Sequence, residues 1–127
     1  MTTQTAAAMV AAAKQRVEGL TPDQVERELA DGVLLVDIRE PEERKANGAI
    51  PGGTHAARGM LEFYADPTSP YHRIDFDPDR RTILYCASSG RSALAADMLR
   101  QLGYHDVAHL DGGIKAWSEA GKPVEDA

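Results

Sequence analysis

Three short runs constrain this chain most: Val33-Leu34-Leu35-Val36, Thr82-Ile83-Leu84-Tyr85 and Val107-Ala108-His109-Leu110. Each is apolar and rich in β-branched or aromatic residues, the signature of a strand covered on both faces. Helical spacing follows two of them. Leu94, Ala95, Met98, Leu99 and Leu102 recur on one face after the second run, and Ile114, Ala116 and Trp117 follow the third. Alternating strand and helix predicts an α/β domain built on a mainly parallel sheet. The runs end in Asp37-Ile38-Arg39-Glu40, in Cys86 and in Asp111-Gly112-Gly113. In open α/β sheets the ligand crevice lies outside the carboxyl ends of the strands. The polar and glycine-rich residues of all three are therefore expected on one edge.

The remaining elements follow from local signals. Residues from about Thr5 to Val17 read as an alanine-rich helix, which Glu18-Gly19-Leu20 is expected to break. Thr21-Pro22-Asp23-Gln24 has the form of a capping box with proline at the first helical position. It opens a helix to about Ala30, with Val25 and Leu29 turned inward. Pro41 starts a short polar helix through Lys45, closed by Asn47-Gly48, and Ala49 to His55 turns into a brief strand. Arg58 to Arg81 is the least regular stretch. Met60, Leu61, Phe63 and Tyr64 suggest one or two helical turns, while Asp66-Pro67 and Asp77-Pro78-Asp79 are turn chemistry.

The single cysteine, Cys86, ends the second strand and opens a tight loop of small residues leading into a helix. Successive backbone N–H groups in such a loop lack intrahelical partners, and the helix dipole adds partial positive charge. Such a cradle favours thiolate, the attacking form, and suits an anionic substrate. The competing reading is that Cys86 is a small buried hydrophobe.

Bulk composition narrows the function classes. A chain of 127 residues is long enough for one domain with a real core. Its formal net charge of −6 argues against a nucleic-acid or anionic-membrane surface. One cysteine excludes an intramolecular disulfide, a Cys-x-x-Cys pair and a multi-cysteine zinc site. The histidines at 55, 72, 105 and 109 show no ligand spacing, so no metal or other cofactor is expected. The alanine-rich start has no basic residue before it and no clean cleavage site, so a helical arm and a cytoplasmic location are expected.

The chain resembles the rhodanese-like family of single-domain sulfurtransferases from about Leu20 to Val124. The resemblance rests on four segments in order: Leu35 to Glu40, Gly48 to Gly52, Tyr85-Cys86 through Arg91-Ser92, and Leu110 to Gly113 with Trp117. It implies a mainly parallel four- or five-stranded sheet with helices on both faces. The domain then spans residues 20–125, behind a helical extension at 1–19. It also implies an active loop from Cys86 to Arg91 whose cysteine cycles through a persulfide. The implied partners are a small sulfur donor, such as thiosulfate or a persulfide, and a thiol acceptor, which a carrier protein could supply.

In that loop Ala87, Ser88, Ser89, Gly90 and Arg91 would steady the transferred sulfur, with Arg91 a candidate for the donor's sulfonate. Its competing role is a surface charge, and Arg58 is a weaker second candidate. Asp37 and Arg39 are expected behind the loop, Asp37 as a structural ion-pair partner. Asp111 is expected to cap the last helix, and Gly112 and Gly113 to take backbone conformations denied to other residues. Many family loops carry glycine where this chain has Ser89, which is therefore expected to need a left-handed backbone or to offer its hydroxyl to the persulfide. Two rivals stand beside this reading. A cysteine phosphatase or arsenate reductase would use a Cys-x5-Arg loop, but four residues separate Cys86 from Arg91 here. A non-catalytic rhodanese-like binding module would usually lack the cysteine.

Overall fold

A computed structural model describes residues 3–127. Its strands are β1 (Glu18–Leu20), β2 (Leu34–Asp37), β3 (Thr54–His55), β4 (Thr82–Tyr85) and β5 (Val107–Leu110). They form one sheet in the order β1-β5-β4-β2-β3, and every pairing is parallel. The helices are α1 (Ala6–Arg16), α2 (Pro22–Leu29), α3 (Pro41–Asn47), α4 (Leu61–Ala65), α5 (Gly90–Gln101) and α6 (Gly113–Glu119).

Strand side chains alternate between two cores, as a period of two requires. Leu34, Val36, Leu84, Cys86 and Val107 face Leu61 of α4 and Ala95, Ala96 and Leu99 of α5. Leu35, Ile83, Tyr85, Ala108 and Leu110 face Val25 of α2 and Ile114 and Trp117 of α6. Trp117 is core, and its indole N–H donates to Pro123 O at 2.7 Å.

Register places the functional edge. Asp37 pairs with Tyr85 and Leu84 with His109, so β2, β4 and β5 end at one level. Ile38, Cys86 and Asp111 are the first residues beyond it. The capping box at Thr21 is present, with Gln24 N–H donating to Thr21 Oγ1 at 3.2 Å and Thr21 N–H to Gln24 Oε1 at 2.8 Å.

One expectation fails at the N-terminus. Glu18-Gly19-Leu20 does not merely break a helix; it is the edge strand β1, paired with Ala108, His109 and Leu110. Three residues with one apolar side chain carry no strand period, so the pairing comes from β5 rather than from local preference. Helix α1 then packs on α5. Arg16 grips Asp97 through Nε at 3.0 Å and Nη2 at 2.7 Å, and Ala13 is fully buried.

The irregular stretch is tied down by a residue that no local pattern marks. Arg73 donates to His55 O at 2.7 Å and Thr54 Oγ1 at 2.9 Å, and lies over the Tyr64 and Phe76 rings.

Candidate active site

The loop after β4 is shaped by the helix that follows β5. Ile114 N–H donates to Cys86 O at 3.0 Å and Lys115 N–H to Ala87 O at 3.2 Å. The first turn of α6 thus holds the loop's carbonyls on one side. Gly113, at φ +62°, makes this approach possible: a Cβ there would stand 2.5 Å from Cys86 O and from Ala87 O, and closer still to Ser88 O. With the carbonyls held outward, the N–H groups of Ala87 through Ser92 find no protein acceptor among the described residues. Six successive donors therefore follow the thiol of Cys86.

Cys86 itself is 1% exposed and lies on the same core face as Leu84. Burial alone fits an inert hydrophobe. The row of unmatched donors beside it gives the thiol a second feature, because N–H groups without intrahelical partners at a helix start are free to bind an anion. Ser89 departs from its expected conformation: at φ −155° and ψ −12° it is not left-handed, and it occupies the N-cap position of α5 without a side-chain cap bond. Serine is accommodated without the strain that a left-handed residue carries.

Behind the loop sits a buried ionic cluster. Asp37 accepts from Arg39 Nε at 3.0 Å, Arg39 Nη2 at 2.8 Å, Arg44 Nη1 at 2.7 Å and the Tyr85 hydroxyl at 3.1 Å. Arg39 Nη2 also donates to Gly48 O at 2.6 Å, tying β2 to the end of α3. Burial opposes the Asp37 charge, but the bonds from Arg39 and Arg44 outweigh it and hold the carboxyl below its usual range. Burial likewise opposes the Arg39 charge, and Asp37 outweighs it. Burial and the Asp37 charge push the Tyr85 hydroxyl up to about 12, so it stays a donor. None of these hydrogen bonds involves Cys86, while Arg39 borders the cleft beside the loop.

Arg91 is already engaged. Its two terminal nitrogens donate to Glu43 Oε1 and Oε2 of α3, both at 2.8 Å, and those bonds take the Glu43 carboxyl down to about 2. Two of its five N–H donors are thus committed to a carboxylate. Glu43 was invisible in the sequence, because its partner lies 48 residues away. Arg58 is not brought to the loop; it pairs with Glu62 at 2.8 Å and borders a groove against Leu94, Asp97 and Met98 of α5. Asp111 does not cap α6 either. Gly112, at φ +87°, is the N-cap, and the Asp111 side chain is 61% exposed with Lys14 Nζ at 3.6 Å. Next to Ala87 and Ser88 a cleft of about 390 Å³ is lined by Arg39, Asn47, Lys115 and Ser118.

A second buried pair braces the loop from below. Ser92 Oγ donates to Ser89 O at 3.1 Å and meets His109 Nδ1 at 2.8 Å. Burial pushes His109 below its ordinary 6.5, with the Lys14 ammonium acting the same way and Asp111 against it. The unfolded chain therefore takes up a proton that the folded chain refuses, and stability falls with pH below 6.5. A second decline begins below 4.5, where unfolded Glu43 protonates first. Melting temperatures measured from about pH 8 to about pH 3 check this. A curve that is flat until the carboxylates titrate would contradict the His109 contribution.

A doubly covered parallel sheet thus carries a cysteine at a strand end, followed by six backbone N–H groups without protein acceptors among the described residues. Comparison with known proteins gives the family. The model of the rhodanese-like domain matches residues 21–120, and the chain belongs to that family. An uncharacterized protein of Synechocystis is 37% identical over 96 residues, covering 74% of this chain and 48% of its own length. The chain spans less than half the length of the curated relatives it matches. A solved Rhodopseudomonas palustris protein of unknown function, described as a possible tyrosine phosphatase, is 41% identical with a TM-score of 0.92, covering 98% of this chain and 97% of that one. The polysulfide-sulfur transferase homodimer of Wolinella succinogenes is 31% identical with a TM-score of 0.77, covering 94% and 86%. Among the described residues no helix is long and apolar enough to cross a membrane.

Proposed function

We propose that this chain is a sulfurtransferase that carries a sulfane sulfur on Cys86. The observation behind the reading is the row of N–H donors from Ala87 to Ser92, unmatched among the described residues and adjoining the chain's one thiol. Such donors stabilise a thiolate and the anionic sulfur it receives. The Cys86 thiolate attacks the outer sulfur of thiosulfate. A bond forms between the two sulfurs, the donor's S–S bond breaks, and its electron pair leaves with sulfite. An acceptor thiolate then attacks the outer sulfur of the Cys86 persulfide and restores the Cys86 thiolate. Exchange at sulfur needs no general base once the thiol is ionised. The cleft beside Ala87 and Ser88 is where donor and acceptor would lie.

Phosphatase chemistry is the second reading, favoured by the description of the Rhodopseudomonas protein. Two features weigh against it. Four residues rather than five separate Cys86 from Arg91, and both terminal nitrogens of Arg91 already donate to Glu43. Intact mass spectrometry after incubation with thiosulfate tests both. The expected result is a gain of one sulfur atom, removed by cyanide as thiocyanate. Turnover of an aryl phosphate without sulfur uptake would overturn the proposal.

A further inference from the structure

Helix α1 lies outside the segment that matches the family model, yet it delivers a cation to the active loop. Its position is set by three contacts. Arg16 makes a two-pronged bond to Asp97 on α5, Ala13 is buried, and Val10 Cγ2 would stand 3.6 Å from a Cβ on Gly90. From that seat Lys14 Nζ donates to Ser89 Oγ at 2.8 Å and pairs with Asp111 at 3.6 Å. One ammonium thus joins the Cys86 loop to the turn after β5.

The bond fixes what Ser89 can do. A hydroxyl that accepts from an ammonium keeps its own proton to donate, and a charged partner strengthens that donation. Among the described residues the Ser89 hydroxyl has no acceptor for that proton. The charge is also held less tightly than the two guanidiniums nearby. Arg91 is held at both nitrogens by Glu43, and Arg39 at two nitrogens by Asp37. The carboxylate paired with Lys14 is farther away and largely in water.

We propose that Lys14 is a positioning residue that selects anionic sulfur donors: it orients the Ser89 hydroxyl as an added donor to the bound anion and places a loosely paired positive charge beside it. The proposal rests on the sulfurtransferase reading and names the class of donor. In a chain of net charge −6, a dianion such as thiosulfate needs this kind of local compensation.

The test compares Lys14→Met, Lys14→Arg, Ser89→Ala and the Lys14→Met/Ser89→Ala double variant with the parent chain. Thiosulfate-to-cyanide kinetics are measured for each. Methionine keeps the helix and the stem while removing the charge. Lys14→Met should raise KM for thiosulfate ~10-fold with a much smaller change in kcat, the size of one charge-assisted bond. Lys14→Arg should recover most of the loss. The double variant should be little worse than the poorer single one, because Lys14 acts in part through Ser89. A readout independent of turnover is the ratio of Cys86 alkylation by iodoacetate to that by iodoacetamide, which should fall in Lys14→Met. Unchanged kinetics in Lys14→Met, full additivity, or a loss confined to kcat would overturn the proposal. A parent chain that takes up no sulfur would instead strike the sulfurtransferase reading, and the alkylation ratio would still judge the role of Lys14.

Discussion

Cys86→Ser should lower sulfur transfer from thiosulfate to cyanide by ~10³-fold or more, because a group that carries the covalent step has no substitute. Serine cannot replace it chemically: its alkoxide is scarce at neutral pH, and oxygen does not form a stable link to a sulfane sulfur. The fold should survive. Serine is smaller than cysteine by little, and its hydroxyl oxygen can accept from the unmatched N–H groups of the loop, which offsets the cost of placing a polar group at a buried site. The change in melting temperature should therefore stay within a few degrees. Initial rates and thermal unfolding on the same preparation check both halves. Substantial residual transfer would show that the sulfur does not travel through Cys86.

The second large effect is expected far from any reacting atom. Gly113→Ala should cost ~3 kcal/mol or more and abolish sulfur transfer. The left-handed backbone at φ +62° costs an alanine ~1–2 kcal/mol by itself. The added methyl would also overlap three carbonyl oxygens, those of Cys86, Ala87 and Ser88. These are backbone atoms and cannot rotate aside, so the loop or α6 must shift, at a cost typical of overpacking, ~1–3 kcal/mol. That shift breaks the bonds from Ile114 and Lys115 that keep the loop's carbonyls outward. For a domain of this size the melting temperature should drop by ~10 °C. A Gly113→Ala protein with parent-like rates would remove the premise that α6 shapes the cradle. Gly112→Ala gives a useful contrast, because its added methyl meets Ala116, not the loop.

Both predictions draw on features that differ in how far they can be read from the chain. The strands around Leu35, Leu84 and Ala108 announce themselves by local composition, and so does the Thr21 cap, because the interactions involved span three or four residues. Cys86 and its small-residue loop are legible for the same reason. A strand end, a tight turn and a helix start are consecutive, and the N–H groups they leave over follow from backbone geometry alone.

What the sequence could not settle depends on partners distant along the chain. Strand β1 has no pattern of its own and exists because β5 offers it an edge. Arg91 looks available for a donor until Glu43, on another helix, closes on it. Asp111 looks like a cap, yet Gly112 reaches the helical turn first, freeing the carboxylate to meet Lys14. Ser89 looked strained because family glycine suggested a left-handed site, and the observed backbone is not left-handed. The sequence by itself determined the parallel α/β architecture and the place of the thiol, since both arise from short-range periodicity and from chain order. The tertiary structure alone decided which charges face the loop. Ion pairs are chosen by proximity in space, and residues 48 or 75 positions apart leave no local trace of having met.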